Sequence, residues 1–169
     1  RVSSVAWHPN GQQLASASFD QTVIIWDAMS GEPMQILRGH TAAVHSLAWA
    51  PDGLRLASGA SDNAVVIWDV MSGEQVYSLQ NHGAAVQSVA WSPDGQKLAS
   101  GSLDSSIIIW NAVDGFPLQT LWSHSAAVYS VAWRPDGQQL ASGALDNIVI
   151  VWDVVSGKPM LRLQGHNAD

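Results

Sequence analysis

The chain has 169 residues, 47% of them apolar, which is enough to bury a sizeable core within one domain. Its net charge is −7 with only seven Lys and Arg, scattered along the sequence, a balance that argues against nucleic acid as a direct partner. The absence of cysteine excludes disulfides and thiolate metal sites, and no apolar run nears the roughly 18 residues of a membrane span.

The opening Arg1-Val2-Ser3-Ser4 lacks the apolar region of a signal peptide, so a cytoplasmic location is the expectation. The first residue is not Met, which leaves a processed chain, an engineered one or a piece of a longer one open. In chain order, each stretch of about 42 residues reads as four short strands. The first is Val2–Trp7, with copies beginning at Val44, Val86 and Val128. A tight turn follows, His8-Pro9-Asn10-Gly11 in the first copy, where Pro fixes φ and the Asn/Asp-Gly pair tolerates φ > 0. Leu14–Ser18 and its copies form the second strand, whose small Ala, Ser and Gly residues allow sheets to approach closely. The third carries the β-branched runs Val23–Trp26, Val65–Trp68, Ile107–Trp110 and Ile148–Trp152. A Ser30-Gly31 type of turn then leads to a fourth strand near Met34–Leu37. Strands one and three are apolar on both faces, as expected of sheets stacked against neighbours.

The repetition is strict. Trp26, Trp68, Trp110 and Trp152 lie 42 apart, as do Asp20, Asp62, Asp104 and Asp146, and His40, His82, His124 and His166. A fixed period of this length marks a radial array in which each repeat is one blade that cannot bury its faces alone. Many of the acids occupy repeated turn positions, so most of the negative charge is turn chemistry.

Over its full length the sequence resembles the WD-repeat β-propeller family, on Gly39-His40, Gly165-His166, Trp26-Asp27, Trp68-Asp69 and Trp152-Asp153. Repeat three departs twice, with Trp110-Asn111 and Ser123-His124, and repeat two has Asn81-His82. Taking the Gly before His as left-handed, Asn81 substitutes acceptably and Ser123 less well. The expected fold is all-β: one domain over 1–169, a propeller of four-stranded antiparallel blades at about 1–42, 43–84, 85–126 and 127–169.

The resemblance implies a buried His–Ser–Asp–Trp hydrogen-bond chain in each blade. Carried over, the sets are His40, Ser58, Asp62 and Trp68; His82, Ser100, Asp104 and Trp110; and His124, Ser142, Asp146 and Trp152. Imidazole can donate to the carboxylate and accept from the hydroxyl, whose oxygen accepts the indole N–H. A Ser-His-Asp nucleophilic site is the competing reading, but the trio recurs in every blade and no oxyanion hole accompanies it. Histidines on separate blades stand too far apart to share a metal ion, and no cofactor is implied.

Framework positions agree between repeats, so those that vary point to surface. One such position reads Ser3, His45, Gln87 and Tyr129, and another Phe19, Ser61, Leu103 and Leu145. Phe19, Leu103 and Leu145 would give the face around the channel an apolar rim, with His45, Gln87 and Tyr129 beside it; packing against the next blade is the alternative. Trp122, aligned with Arg38, Gln80 and Gln164, is a further candidate contact.

Propellers close with roughly four to eight blades, and this family usually with more than four. Blade one lacks an upstream His, and His166 has no following blade to serve. The expectation is therefore a half-ring that a second chain completes to eight blades in a C2 homodimer, His166 reaching Ser16, Asp20 and Trp26 of its partner. The implied function is a non-enzymatic scaffold that binds itself and a protein or peptide on the loop face. Alternatives are an engineered or excised repeat fragment with no evolved ligand and, less favoured, a propeller hydrolase or lyase.

Overall fold

Sixteen strands of six residues each make up the regular structure of the computed structural model, which describes residues 1–167; the last two positions of the expected fourth repeat lie outside the described residues. The first repeat supplies β1 (Val2–Trp7), β2 (Gln13–Ser18), β3 (Thr22–Asp27) and β4 (Pro33–Arg38). The second supplies β5 (Val44–Trp49), β6 (Arg55–Ala60), β7 (Ala64–Asp69) and β8 (Gln75–Gln80). The third supplies β9 (Val86–Trp91), β10 (Lys97–Ser102), β11 (Ser106–Asn111) and β12 (Pro117–Trp122). The fourth supplies β13 (Val128–Trp133), β14 (Gln139–Ala144), β15 (Ile148–Asp153) and β16 (Pro159–Gln164). Each set of four pairs antiparallel in sequence order, giving four separate blades. The strands predicted from β-branched runs and small residues are present, extended by about one residue because the ladder continues into the turns.

Turns hold the hairpins at fixed length. Gly11 and its copies adopt φ near +70°, a region closed to most side chains, and the preceding Pro presets the turn. The residue after each framework Asp is also left-handed: Gln21 (φ 75°), Asn63 (φ 66°), Ser105 (φ 72°) and Asn147 (φ 64°). The residue before the framework His is not, which corrects the sequence expectation. Gly39 sits in a tight space instead: a Cβ there would meet the flexible end of the Gln75 side chain (Nε2 at 1.6 Å), which would have to swing away, and would press on the Trp68 ring (Cη2 at 3.1 Å). Pro117 and Pro159 stand at Gln75's position in the following blades. That removes the long side chain, so Asn81 and Ser123 fit without any backbone demand.

Hydrophobic burial takes place between blades. In the first core Ala15, Ala17, Val23, Ile25 and Leu37 of one sheet meet Val44, Leu47, Trp49, Leu56, Val66 and Trp68 of the next. Two further cores repeat this arrangement between blades two and three and between three and four. Each junction is pinned by an indole crossing to the preceding blade. Trp49 Nε1 donates to the Ala6 carbonyl at 2.9 Å, Trp91 to Ala48 at 3.0 Å and Trp133 to Ala90 at 2.9 Å. The outermost faces have no such neighbour: Trp7 is 63% exposed where Trp49 is 8%, and Leu163 is 49% exposed where Leu121 is 2%.

Candidate functional site

Two kinds of site emerge from this frame, buried polar sets between blades and variable side chains on the loop face. In blade two, His40 Nδ1 lies 2.9 Å from Asp62 Oδ2 and His40 Nε2 lies 2.7 Å from Ser58 Oγ. Trp68 Nε1 donates to the same hydroxyl oxygen at 2.8 Å. An ionised carboxylate only accepts, so Nδ1 carries the proton and Nε2 accepts from Ser58. Blade three repeats this with His82, Asp104 (3.0 Å), Ser100 (2.8 Å) and Trp110 (2.8 Å). Blade four does so with His124, Asp146 (2.9 Å), Ser142 (2.7 Å) and Trp152 (2.8 Å).

Burial and hydrogen bonding compete at these acids. Desolvation alone would raise the Asp62 pKa, but the Thr41 N–H, the His40 imidazole and the Ala64 N–H outweigh it and hold the carboxyl below its ordinary value. Asp104 and Asp146 are lowered through the same balance. His82 is depressed chiefly by burial, against the pull of Asp104, so its neutral form is favoured. Among the described residues every buried side-chain nitrogen or oxygen has a partner.

Blade one is different. Trp26 Nε1 donates to Ser16 Oγ at 2.8 Å, but no imidazole joins them. Asp20 instead accepts from Thr22, through the hydroxyl at 2.6 Å and the N–H at 3.1 Å. His166 is exposed at the far end of the molecule, beside Tyr129, Gly143 and Leu145 in a hollow of about 350 Å³ on the outer face of blade four.

The position that reads Ser3, His45, Gln87 and Tyr129 is the extra residue of a β-bulge. Val44 pairs with Ala60 and Ser46 with Gly59, which leaves His45 unmatched; the other three blades show the same slip. A bulge re-aims its side chain and frees it from the ladder. The sequence signals only that this position varies, because the bulge is a property of pairing register. Phe19 meets His45 edge to face across the first junction, with ring centroids 5.5 Å apart, and the Arg1 guanidinium covers the Phe19 ring at 4.6 Å. His45 Nε2 also lies 2.5 Å from Ser61 Oγ. Its pKa is lowered by burial and then by Arg1. Tyr129 and Leu145 line the same hollow on blade four. Leu103 is exposed on the third blade, and Gln87 is half-buried. Trp122 ends β12, opposite Ser106 in the ladder, and is 66% exposed.

A chain of antiparallel four-stranded blades, stacked in sequence order and carrying a His–Ser–Asp–Trp set at each internal junction, defines the repeat class of β-propeller proteins. The WD domain, G-beta repeat model matches four times, at residues 1–27, 31–69, 73–111 and 115–153, and the chain belongs to that family. It is similar over 31 residues (64% identity, 18% of this chain) to a probable cytosolic iron-sulfur protein assembly protein Ciao1 of Culex quinquefasciatus. It also resembles nuclear distribution protein nudF of Aspergillus flavus (48% over 44 residues, 26% of this chain). A third relative is a ribosome biogenesis protein WDR12 homolog of Nematostella vectensis (56% over 41 residues, 23% of this chain). The matched segments span 9%, 10% and 10% of those three relatives, so the similarity is that of one repeat to another. No helix among the described residues is long and apolar enough to cross a membrane.

Proposed function

We propose that the chain is a non-enzymatic interaction scaffold that presents the bulge positions and the neighbouring turns to a protein or peptide. The observation that carries this reading is the contrast between two groups of polar and aromatic residues. The Ser58, Ser100 and Ser142 hydroxyls of the three complete sets are fully or almost fully buried and engaged by both imidazole and indole, which leaves none of the three accessible as a nucleophile. The residues that differ between blades, by contrast, include exposed aromatic and apolar side chains: Phe19, Leu103, Trp122, Tyr129 and Leu145. Exposed aromatics in an otherwise regular frame are the usual anchors of protein contacts. Selection of a displayed random-peptide library against the chain tests the reading. Binders should weaken about tenfold or more on Tyr129→Ala or Trp122→Ala. Binders indifferent to both changes, or none at all, would overturn it.

A second reading, self-association, is favoured by the match between the two outer faces. Val2, Val5 and Trp7 stand exposed on blade one where their copies in blades two and three are buried, and Gly143 on blade four has nothing within 4 Å of a Cβ position. Its copy Gly101 is filled by Val128 and Val131, the residues equivalent to Val2 and Val5 with an added 126 in numbering. A second copy seated head to tail would bring His166 to Ser16 and Asp20, and two copies related by C2 symmetry would give eight blades. Light scattering of the 18.0 kDa chain should then report a closed dimer. A monodisperse monomer at micromolar concentration would overturn this second reading alone.

A further inference from the structure

The three internal junctions are built from equivalent backbone but are not filled alike. At the second junction Arg55 crosses from β6 to the Ala112 carbonyl (2.6 Å) and the Gly95 carbonyl (3.4 Å), its guanidinium 4.9 Å from the Trp91 ring. At the third, the Gln119 amide donates to the Val154 carbonyl, the copy of Ala112, at 3.1 Å. At the first, Gln13 stands where Arg55 does, and His8 takes over only part of the guanidinium's work. Its Nε2 lies 3.0 Å from the Gly53 carbonyl and its ring packs edge-on to Trp49 at 4.6 Å. Asn10 N–H donates to His8 Nδ1, so Nε2 is the protonated nitrogen. Gln35, the copy of Gln119, lies against Gly73. No side chain among the described residues donates to the Val70 carbonyl, the copy of Ala112 and Val154. A cavity of about 630 Å³ opens there, lined by Gln13, Met34, Leu54, Asp69 and Met71 with Val70 at its wall.

We propose that this cavity between blades one and two receives the arginine side chain of a partner peptide, which donates to the Val70 carbonyl as Arg55 donates to Ala112 one blade on. Three features select that chemistry. The molecule's own Arg55 shows that the equivalent backbone accepts a guanidinium at hydrogen-bonding distance. Asp69 supplies an anion at the open junction, and the bonds it receives from Ser72 and Met71 keep its carboxyl below the ordinary pKa. Met34 and Met71 offer flexible thioethers that can close over an aliphatic stem. A guanidinium is planar and weakly hydrated, and gives up less hydration on entering such a site than an ammonium. The cavity is also large enough for flanking peptide backbone, being within the roughly 300–1,000 Å³ of small-ligand sites. This inference is independent of the outer faces and of the bulge positions.

The test uses the 169-residue chain with ¹³C-methyl-labelled methionine and a capped Gly-Arg-Gly peptide at millimolar concentration. Met34 and Met71 methyl signals should shift, while Met29 and Met160, outside the cavity, stay in place and serve as internal references. The capped Gly-citrulline-Gly peptide, neutral and of the same shape, should bind about tenfold more weakly or worse. Gln13→Arg should abolish binding by installing the chain's own guanidinium, and Leu54→Trp should do the same by filling the mouth from an exposed position. Absence of shifts with the arginine peptide, equal shifts with citrulline, or binding that survives both substitutions would overturn the proposal.

Discussion

Val86 Cγ1 lies 2.6 Å from the point where a Cβ on Gly59 would stand, so the second strand of blade two and the first strand of blade three touch through a missing side chain. Val89 Cγ1 closes the same space at 3.1 Å, and both atoms belong to branched residues buried on a strand with no room to retreat. Gly143 occupies the same register position in blade four and faces open space. The two glycines should therefore answer differently to one substitution. Gly59→Val should destabilise the chain by about 1–3 kcal/mol through overpacking, while Gly143→Val should leave monomer stability nearly unchanged. Urea unfolding of the two variants checks this, and equal losses would contradict it. Gly143→Val should also weaken any head-to-tail association.

The polar sets invite a matched comparison of their own. Ser58→Ala would leave the Trp68 indole N–H and the His40 imidazole without their shared partner inside the second blade. A buried polar group left unpaired costs about 1–3 kcal/mol, and two share the loss here. Ser16→Ala removes only the Trp26 bond, in a blade where the indole is half-buried and no imidazole is present. Thermal denaturation should show a larger drop in Tm for Ser58→Ala than for Ser16→Ala. The reverse order would argue that the sets add little to stability.

Blade number, strand order and most turn positions were legible because each depends on local patterning: β-branched runs, Pro-x-Gly turns and a spacing that never slips. The membership of the polar sets was legible only through family resemblance, since nothing in the spacing of His40, Ser58 and Asp62 says that they meet. Register was not legible at all. The bulge at His45 and its copies depends on a two-against-one match of strands that composition does not record. Gly39 misled for a related reason. Its glycine reads as a conformational requirement, whereas its φ is ordinary and what a Cβ would meet is the Gln75 side chain, distant in sequence and peculiar to one blade. The cavity at the first junction was hidden likewise, because it arises from Gln13 replacing Arg55 and is visible only once the junctions are superposed.

Left-handed backbone at residues other than glycine offers a route to greater stability. Gln21 and Ser105 hold φ of 75° and 72° in the turn after the framework acid, where their copies are Asn63 and Asn147. Asn tolerates this region and Gly enters it freely, whereas other side chains are strained by about 1–2 kcal/mol. Gln21→Asn and Ser105→Asn should each therefore raise stability, by up to about 1 kcal/mol, without altering the fold. The bonds to Asp104 in this turn come from Ser106, and among the described residues Ser105 Oγ makes none to the framework set, so its removal disturbs none of those contacts. Differential scanning calorimetry should give a higher Tm for each variant, and a lower one for Asn63→Ala.

Acid should destabilise the chain in two stages, and the sign follows from which state binds more protons. His82 has a folded pKa below its ordinary 6.5, because burial disfavours the imidazolium. As pH falls past that ordinary value the unfolded chain takes up a proton that the folded chain resists, so stability begins to decline there. Asp62, Asp104 and Asp146 have folded values below the ordinary 3.8, so the stability they contribute is complete above that value and is lost as pH falls through their folded values. Urea midpoints should thus be flat near neutrality, ease downward from about pH 6.5 and fall again below about pH 4. In ¹H–¹³C spectra the His82 ring should keep its neutral shifts to a pH below the ordinary histidine value of about 6.5. A protein that became more stable on moving from neutral to mildly acidic solution, or a His82 ring that protonated above the ordinary histidine value, would show that contact with Asp104 outweighs burial at this histidine.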